Sequence, residues 1–435
     1  MKLTTLGKGR SLVKSILPAP IKRLGRKVHY QLSNRLSLAE QIIEGCKAVQ
    51  FFAESIPQPR LRVTLLEIAR FIGDLALLAR QYPRVDINLL QGPEGEVIFI
   101  GDAMGADEFA HLFFSSEQVN HTRVGQVALW EIPATTQAML KQGSFAVICE
   151  LSRLYPWRFN APVQVTTPKW IAQVLPLPEQ PDDFLKGRRG RELRNAIHRH
   201  PELQEFRFSQ DQADFDQFYY SMYVPYVSAR HGSLVFVEPY EVLLRWFKRG
   251  GLVLVLQNQK PVAASLVYKR QDWVYAIDGG VLNASQDLLK ARIYRFMVWS
   301  TIRWANQQGA RYIHMGGTYA WRSNGVFQFK HEWKTSVLHL YGFTYGQWIC
   351  LMNDLPPEQI NLLNQKGLII KKHQKYYGVV FDDAILENDE QYLSQALKSA
   401  REDGLAGIVL KSAHQTRFIE DTQPATHQEE ATDVS

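Results

Sequence analysis

The stretch from Leu288 to Trp333 constrains the fold more than any other, because it sets a long helix, one glycine and a strand in immediate succession. Ile293, Phe296, Met297, Ser300 and Trp304 recur at helical spacing, so one face from Leu288 to Gln307 is largely apolar and is expected to pack on a sheet. Ser285 suits the N-cap of that helix, and Asp287 in the first turn complements the positive end of its dipole. Gly309 suits its end, since glycine adopts the left-handed conformation at no steric cost. A strand from Ala310 to Met315 follows, which makes a crossover unit. Gly316 and Gly317 then open a loop through Asn324, and the segment Gly325 to Lys330 closes it. Such a loop brings backbone amides and a lysine to one place.

A chain of 435 residues, 46% of them hydrophobic and 21% charged, has length for two or three folded domains. Cys46, Cys149 and Cys350 lie far apart with no CxxC pair and no histidine set at ligand spacing, so reduced, buried thiols in a cytoplasmic protein are expected, and no metal. The net charge of +7 is local in origin. Residues 1–39 hold nine of the 50 Lys and Arg and no acid, leaving 41 basic against 43 acidic residues elsewhere. The arm lacks the unbroken apolar core of a signal peptide, because Lys14 separates Leu12-Val13 from Ile16-Leu17. It reads either as a basic arm making peripheral contact with an anionic membrane or as a flexible, partly helical extension. No run approaches the roughly 20 apolar residues of a membrane span.

In chain order, Leu38 to Gln81 is helical with an interruption at Pro57 and Pro59. Val85–Leu89 and Val97–Ile100 form a hairpin across Gly92 to Gly95. A helix from Asp107 to Phe114, a strand from Gly125 to Ile132, a helix from Thr135 to Lys141 and a strand from Phe145 to Glu150 complete a first α/β domain. The proline-rich stretch Pro156 to Pro181 carries two strands and bridges the halves. Beyond it, Arg188, Arg191, Arg194 and Arg199 form a helical stripe that is either a solvated face or an anion site. The aromatic helix Ala213 to Ala229 is mostly core, with Tyr223, Tyr226, Arg230 and His231 at its polar end as candidates to line a cleft. Three strands, Leu252–Leu256, Ala263–Tyr268 and Trp273–Ile277, make an antiparallel meander. Val337 to Trp348 is expected to close the same sheet. The expected divisions are a basic arm 1–39, α/β domains 40–180 and 181–348, a small α/β unit 349–412, and a disordered acidic tail 413–435.

The run from Phe184 through Ile197, the meander, the helix ending at Gly309, the segment Tyr312 to Gly317 and the segment Gly325 to Lys330 together resemble the GNAT-fold acyltransferases of the Fem type, including BioF2-like bacterial acetyltransferases. The resemblance covers roughly residues 145–345, and its most specific piece is the Gly-Gly segment ending in Phe329-Lys330. It implies an α/β (α+β) architecture: tandem GNAT-like domains with mixed, largely antiparallel sheets flanked by helices, plus the small C-terminal α/β unit. It also implies a donor site where many GNAT enzymes hold the CoA pyrophosphate, on a glycine-rich turn opening the helix after the meander. Gly279, Gly280, Ser285, Lys290 and Arg292 occupy that region, without the usual glycine spacing. Acyl-CoA is the expected co-substrate, with no tightly bound cofactor. Aminoacyl-tRNA, used by Fem-type enzymes, is the lesser expectation because no long charged heptad insertion is present.

Acyl transfer to an amine passes through a tetrahedral oxyanion and releases a proton. The resemblance places Lys330 beside the transferred group, as oxyanion or carbonyl donor, and puts Asp278 where acceptor and donor meet, as base. The bland alternatives are a lysine covering the sheet edge and a turn-capping aspartate. Tyr319 and His314 are further candidates, and Arg322 is a candidate for an acidic acceptor. No GxSxG or Cys–His signature supports a covalent intermediate. The expected activity is therefore direct N-acyl transfer to a small-molecule or cell-envelope precursor, with no specific nucleic-acid partner. The competing reading is a non-catalytic GNAT-like module binding an acidic glycan, lipid or nucleotide-linked ligand.

Overall fold

The computed structural model describes residues 58–420, apart from 94, 115–118, 157, 232–236, 339–346, 354–356, 374, 382–389 and 412–415, together with scattered positions between 42 and 56. The basic arm 1–39 lies outside the described residues. Helix α1 (Pro59–Gln81) starts on a proline, whose missing N–H costs nothing at that position. It leads to the hairpin β1 (Arg84–Gly92) and β2 (Gly95–Ile100), whose register closes at Gly92 opposite Gly95 as the sequence predicts. Helix α2 (Ala103–Phe113) is capped by Asp102, which accepts from the Gly105 N–H at 2.8 Å. Strand β3 (Asn120–Ala128) begins earlier and stops earlier than the expected Gly125–Ile132, because Leu129–Glu131 turn as a 3-10 helix into α3 (Ile132–Lys141).

Strands β4 (Ala146–Leu151), β5 (Val163–Pro168) and β6 (Trp170–Pro176) follow. Then come α4 (Gly187–Arg199), β7 (Phe206–Ser209), α5 (Gln212–Gln217), a π-helical turn at Phe218–Tyr223, α6 (Val224–His231) and α7 (Tyr240–Phe247). The meander is β8 (Gly251–Gln257), β9 (Lys260–Arg270) and β10 (Trp273–Val281). After it, the long helix of the sequence reading is two helices, α8 (Gln286–Lys290) and α9 (Ile293–Gln307). They break because Arg292 takes a left-handed conformation at φ 60°, which interrupts the ladder. Ser285 does cap α8, accepting from the Leu288 N–H, and Gly309 does end α9 at φ 68°. The remainder is β11 (Tyr312–Tyr319), α10 (Gly325–His331), β12 (Ser336–Leu338), β13 (Gln347–Met352), α11 (Pro357–Lys366), β14 (Ile369–Lys372), β15 (Lys375–Phe381), α12 (Glu390–Glu402), β16 (Gly407–Lys411) and β17 (Thr416–Glu420).

The strands form three mixed, largely antiparallel sheets flanked by helices, so the chain is α/β as expected. The first is ordered β3-β1-β2-β4-β13-β5, the second β12-β6-β11-β10-β9-β8-β7, and the third β14-β15-β16-β17. Three boundaries differ from the sequence reading. The crossing between sheets is the single step from Pro168 to Trp170, since β5 pairs in the first sheet and β6 in the second. The expected closing strand divides: β12 edges the second sheet against β6, while β13 returns to the first between β4 and β5. Strand β13 fits there because both its faces are apolar, with Trp348, Cys350 and Met352 in one core and Ile349 and Leu351 in the other. The tail also contributes structure, for Thr416–Glu420 pairs with β16 where disorder was expected.

The second sheet is covered on both faces. Trp299, Ile302 and Trp304 of α9 pack on Val253, Val267, Val274 and Ile313. On the opposite face Phe215, Phe218, Met222 and Tyr223 of the aromatic helix cover Leu252, Leu254 and Leu266. At about 25 cal/mol per Å² of apolar area, these two layers supply the main drive for folding this half.

Candidate active site

The feature that opens a site is a divergence at the centre of the second sheet. Strands β10 and β11 run parallel and pair only at Trp273–Tyr312, Val274–Ile313 and Tyr275–His314, although both continue well beyond. Past that point each strand carries a bulge against its other neighbour, β10 between Ala276 and Asp278 and β11 between His314 and Gly317. A bulge inserts one residue and bends the strand, so two adjacent bulges splay the pair. Exposure follows the same line: Tyr275–Gly279 and His314–Gly317 are partly exposed, whereas Val274, Gly280, Ile313 and Thr318 around them are buried. The result is a cleft between two strands whose facing backbone groups are not paired to each other.

The bulge in β10 also aims Asp278. Tyr275 lies opposite Tyr268 and Asp278 opposite Leu266, two residues apart on β9, so Tyr275 and Asp278 share a face. Burial pushes the Asp278 carboxyl up to about 7, and the nearby Glu238 charge adds to the rise. Hydrogen bonds from the Gly279 N–H, at 2.9 Å, and from the Tyr223 hydroxyl act the other way. Tyr223 is itself fixed, its oxygen accepting from the Glu238 N–H at 3.0 Å.

On the other wall, Gly316 stands at φ 75°, a conformation that disfavours any side chain. The bulge there presents two carbonyls to Lys330, whose Nζ donates to Gly316 O at 3.1 Å and Gly317 O at 2.8 Å. Lys330 rides on α10, whose N-cap Asn324 accepts from the Val326 and Phe327 N–H groups and is steadied by the Thr318 hydroxyl at 3.1 Å. The lysine is 7% exposed and forms no ion pair with a carboxylate among the described residues, and burial lowers its pKa to about 7. A charged ammonium has three hydrogens, so one remains after the two carbonyls. His314 lies alongside. Burial and the Lys330 charge push it down to about 4, and its Nδ1 accepts from the Gly316 N–H at 3.2 Å, so the neutral ring carries its proton on Nε2. Its ring ends a stack of Trp246, Tyr268, Tyr275 and His314, with successive centroids 5.0, 4.6 and 5.4 Å apart.

Among the residues singled out from sequence, Asp278, Tyr223 and Gly279 gather on the β10 side, and Lys330 and His314 on the β11 side. Other candidates are placed elsewhere. Tyr319 stacks between Trp170 and Trp321, at 4.2 and 4.7 Å, in the aromatic core shared with the first sheet. Arg322 pairs with the buried Asp403 and donates to Ser399, tying the turn before α10 to the third sheet's helix. Tyr226 packs on Tyr294 at 5.3 Å. Arg230 and His231 end α6, and their side chains lie outside the described residues. Tyr275 and Glu238 were missed.

The glycine-rich turn expected at Gly279 and Gly280 is strand, not turn. A Cβ on Gly280 would lie 2.6 Å from the backbone of Met222 and Tyr223, and one on Gly279 2.7 Å from Met297 Cε. These glycines let the aromatic helix and α9 approach the sheet, so no phosphate cradle forms on their Cα faces. Gly280→Ala is therefore expected to destabilise by about 1–3 kcal/mol through forced backbone movement, measured by denaturant unfolding with the slope m unchanged. The open helix start is that of α9 instead. It has no side-chain cap and no acid in its first turn, and Lys290, Arg292 and Arg295 surround it. Arg292 is shared with Glu192 of α4, and Arg295 with Glu332 at 2.6 Å. Ser285 serves α8 as its cap.

A sheet opened between parallel strands, with an acid on one wall and a buried lysine on the other, is a frame for group transfer. Residues 187–331, which span this frame and make up a third of the chain, match the family model for the acetyltransferase (GNAT) domain. Among solved structures, FemX aligns with 71% of this chain and 96% of its own at 11% identity and TM-score 0.30. The C-terminal DUF2156 domain of a lysylphosphatidylglycerol synthetase candidate from Agrobacterium fabrum aligns with 67% of this chain and 90% of its own, at 12% identity and TM-score 0.29. At these scores the two likenesses carry no argument about chemistry. No curated protein matches the chain.

Proposed function

We propose that the chain is an N-acyltransferase that moves an acyl group directly from acyl-CoA, without a covalent enzyme intermediate, to an amine on a small-molecule or cell-envelope precursor. The observation that carries the reading is the splayed cleft between β10 and β11 with Asp278 and Lys330 on opposite walls. Unpaired strand edges suit an extended donor arm, which takes hydrogen bonds as an added strand would. The uncapped start of α9, with Lys290 and Arg292 beside it, suits the donor's phosphates. In the transfer the amine nitrogen attacks the thioester carbon, the new C–N bond forms and the C–S bond breaks. Asp278 accepts the amine proton, Lys330 donates its remaining hydrogen to the oxyanion, and the proton passes on to the departing thiolate. The donor, a cytoplasmic metabolite, sets the reaction in that compartment. A merely structural role fits Lys330 poorly, because an ammonium buried without a carboxylate costs stability.

Incubating the full-length protein with acyl-CoA donors and a pool of amines tests the reading. Amine-dependent thiol release and calorimetric binding of CoA are expected. Absence of both in the folded protein would remove acyl-CoA as donor.

A further inference from the structure

At the fork of the cleft stands His314, the last residue of β11 that still pairs with β10. Its ring is fixed twice, by stacking on Tyr275 at 5.4 Å and by the Gly316 N–H, which donates to Nδ1 at 3.2 Å. A ring nitrogen that accepts carries no proton, so the hydrogen of the neutral imidazole sits on Nε2. Burial and the Lys330 charge keep the ring neutral. Among the described residues nothing accepts from the Nε2–H, and Nε2 is not one of the sealed-off polar atoms of the interior. A fixed, uncharged donor thus opens on the cleft.

Strand register decides what this donor meets. Tyr275 and His314 are partners across the parallel pair and share a face, and Asp278 lies on the face of Tyr275. Lys330 arrives from the other side. Its helix packs Phe327 on Ile171 and Val337, and Ile171, three residues before Val174, faces away from the side that Val174 shares with His314. His314 and Asp278 therefore flank the side from which an amine that gives its proton to Asp278 must come. The β9 partners of Tyr275 and Asp278 are two residues apart, so Asp278 lies roughly 7 Å along the strand from the level of His314. An amine and an oxygen on neighbouring carbons span such a gap with a hydrogen bond of about 3 Å at each end. An uncharged oxygen suits the place, since a carboxylate would add a further negative charge beside Asp278 and Glu238. We propose that His314 selects the acceptor by donating from Nε2 to a hydroxyl on the carbon next to the amine, so that the substrate is a vicinal amino alcohol such as an amino sugar. The inference rests on the acyl-transfer reading above and adds the chemistry of the acceptor to it.

Two variants separate the two nitrogens of the ring. His314→Asn keeps an acceptor for the Gly316 N–H and removes the outer donor, whereas His314→Gln keeps the outer donor. The full-length protein is assayed with acetyl-CoA and two amines that differ by one hydroxyl, 2-aminocyclohexanol and cyclohexylamine. Wild-type kcat/KM is expected to favour the amino alcohol roughly tenfold, the weight of one neutral hydrogen bond. His314→Asn is expected to erase that ratio and His314→Gln to retain it. The ratio compares two amines on one protein, so a loss of stability alone does not move it. Calorimetric binding of the same amines is read beside turnover: a hydroxyl preference in binding that His314→Asn abolishes, without transfer, would fail the acyl-CoA reading and keep this one. Equal handling of both amines by the wild-type protein, or no binding or turnover of either, overturns the proposal, as does a preference that His314→Asn keeps. Equal losses for both amines in His314→Asn, restored by His314→Gln, would assign Nε2 to the oxyanion and overturn it too.

Discussion

Replacing Lys330 by methionine is expected to lower kcat by roughly 10²–10³-fold, the usual cost of removing one donor from a developing oxyanion. Methionine keeps the stem volume, and what is lost is the Nζ that bonds Gly316 O and Gly317 O. Those carbonyls then lack a partner, which costs about 1–3 kcal/mol. Against this stands the release of a buried ammonium. The folded-state pKa of Lys330 is depressed from 10.5 to about 7, so the unfolded chain takes up the proton first and the wild-type protein loses stability as pH falls from about 10 to about 7. The variant is spared this loss. Thermal unfolding is therefore expected to show a wild-type decline as pH is lowered from about 10 to about 7, levelling off below, that Lys330→Met lacks. Unchanged turnover in a folded Lys330→Met protein would remove the lysine from the chemistry.

Replacing Asp278 by asparagine is expected to cost about 10²–10⁴-fold in kcat/KM, because the amide cannot take the proton from the attacking amine. The pH profile distinguishes a base from a structural carboxylate. With Asp278 titrating near 7, wild-type kcat/KM rises through that pH as the carboxylate forms, and it falls again as Lys330 loses its charge, giving a narrow bell. The acidic limb is expected to disappear in the asparagine variant. Stability moves oppositely to activity. A carboxyl whose folded pKa is raised contributes stability that is lost as pH rises through the folded value. At about pH 8, then, the wild-type protein bears a buried carboxylate that Asp278→Asn does not, and the variant is expected to melt at the higher temperature. An acidic limb that persists in Asp278→Asn would assign the base elsewhere.

Much of this was legible in the chain. The hairpin at Gly92–Gly95, the meander and the helix ending at Gly309 follow from period and turn chemistry, and each is where that logic puts it. Lys330 entered through the resemblance and is found buried against the Gly316 bulge. What was not legible depends on long-range pairing. Gln347–Met352 is apolar on both faces, so nothing local tells which sheet receives it. The resemblance implies a phosphate turn at Gly279-Gly280, yet Gly280 is required by the helix backbone at Met222–Tyr223, far away in sequence, and Gly279 by Met297. Tyr319 looks like a loop residue of a site because strand β11 runs past its Gly-Gly bulge, which sequence reads as the strand's end, and Arg322 is drawn away by the distant Asp403.

Strand β13 has a consequence for how the protein is made. Because it lies between β4 and β5, the first sheet encloses the whole segment from β6 to β12 as an excursion from its own interior. Until the ribosome has passed Met352, β4 and β5 remain unjoined edges open to mispairing. The half built on the second sheet and its companion are therefore one nested unit. Cutting the chain before Gln347 leaves the companion's centre unfilled, so the seam between them is not a place where evolution or an engineer can separate the two.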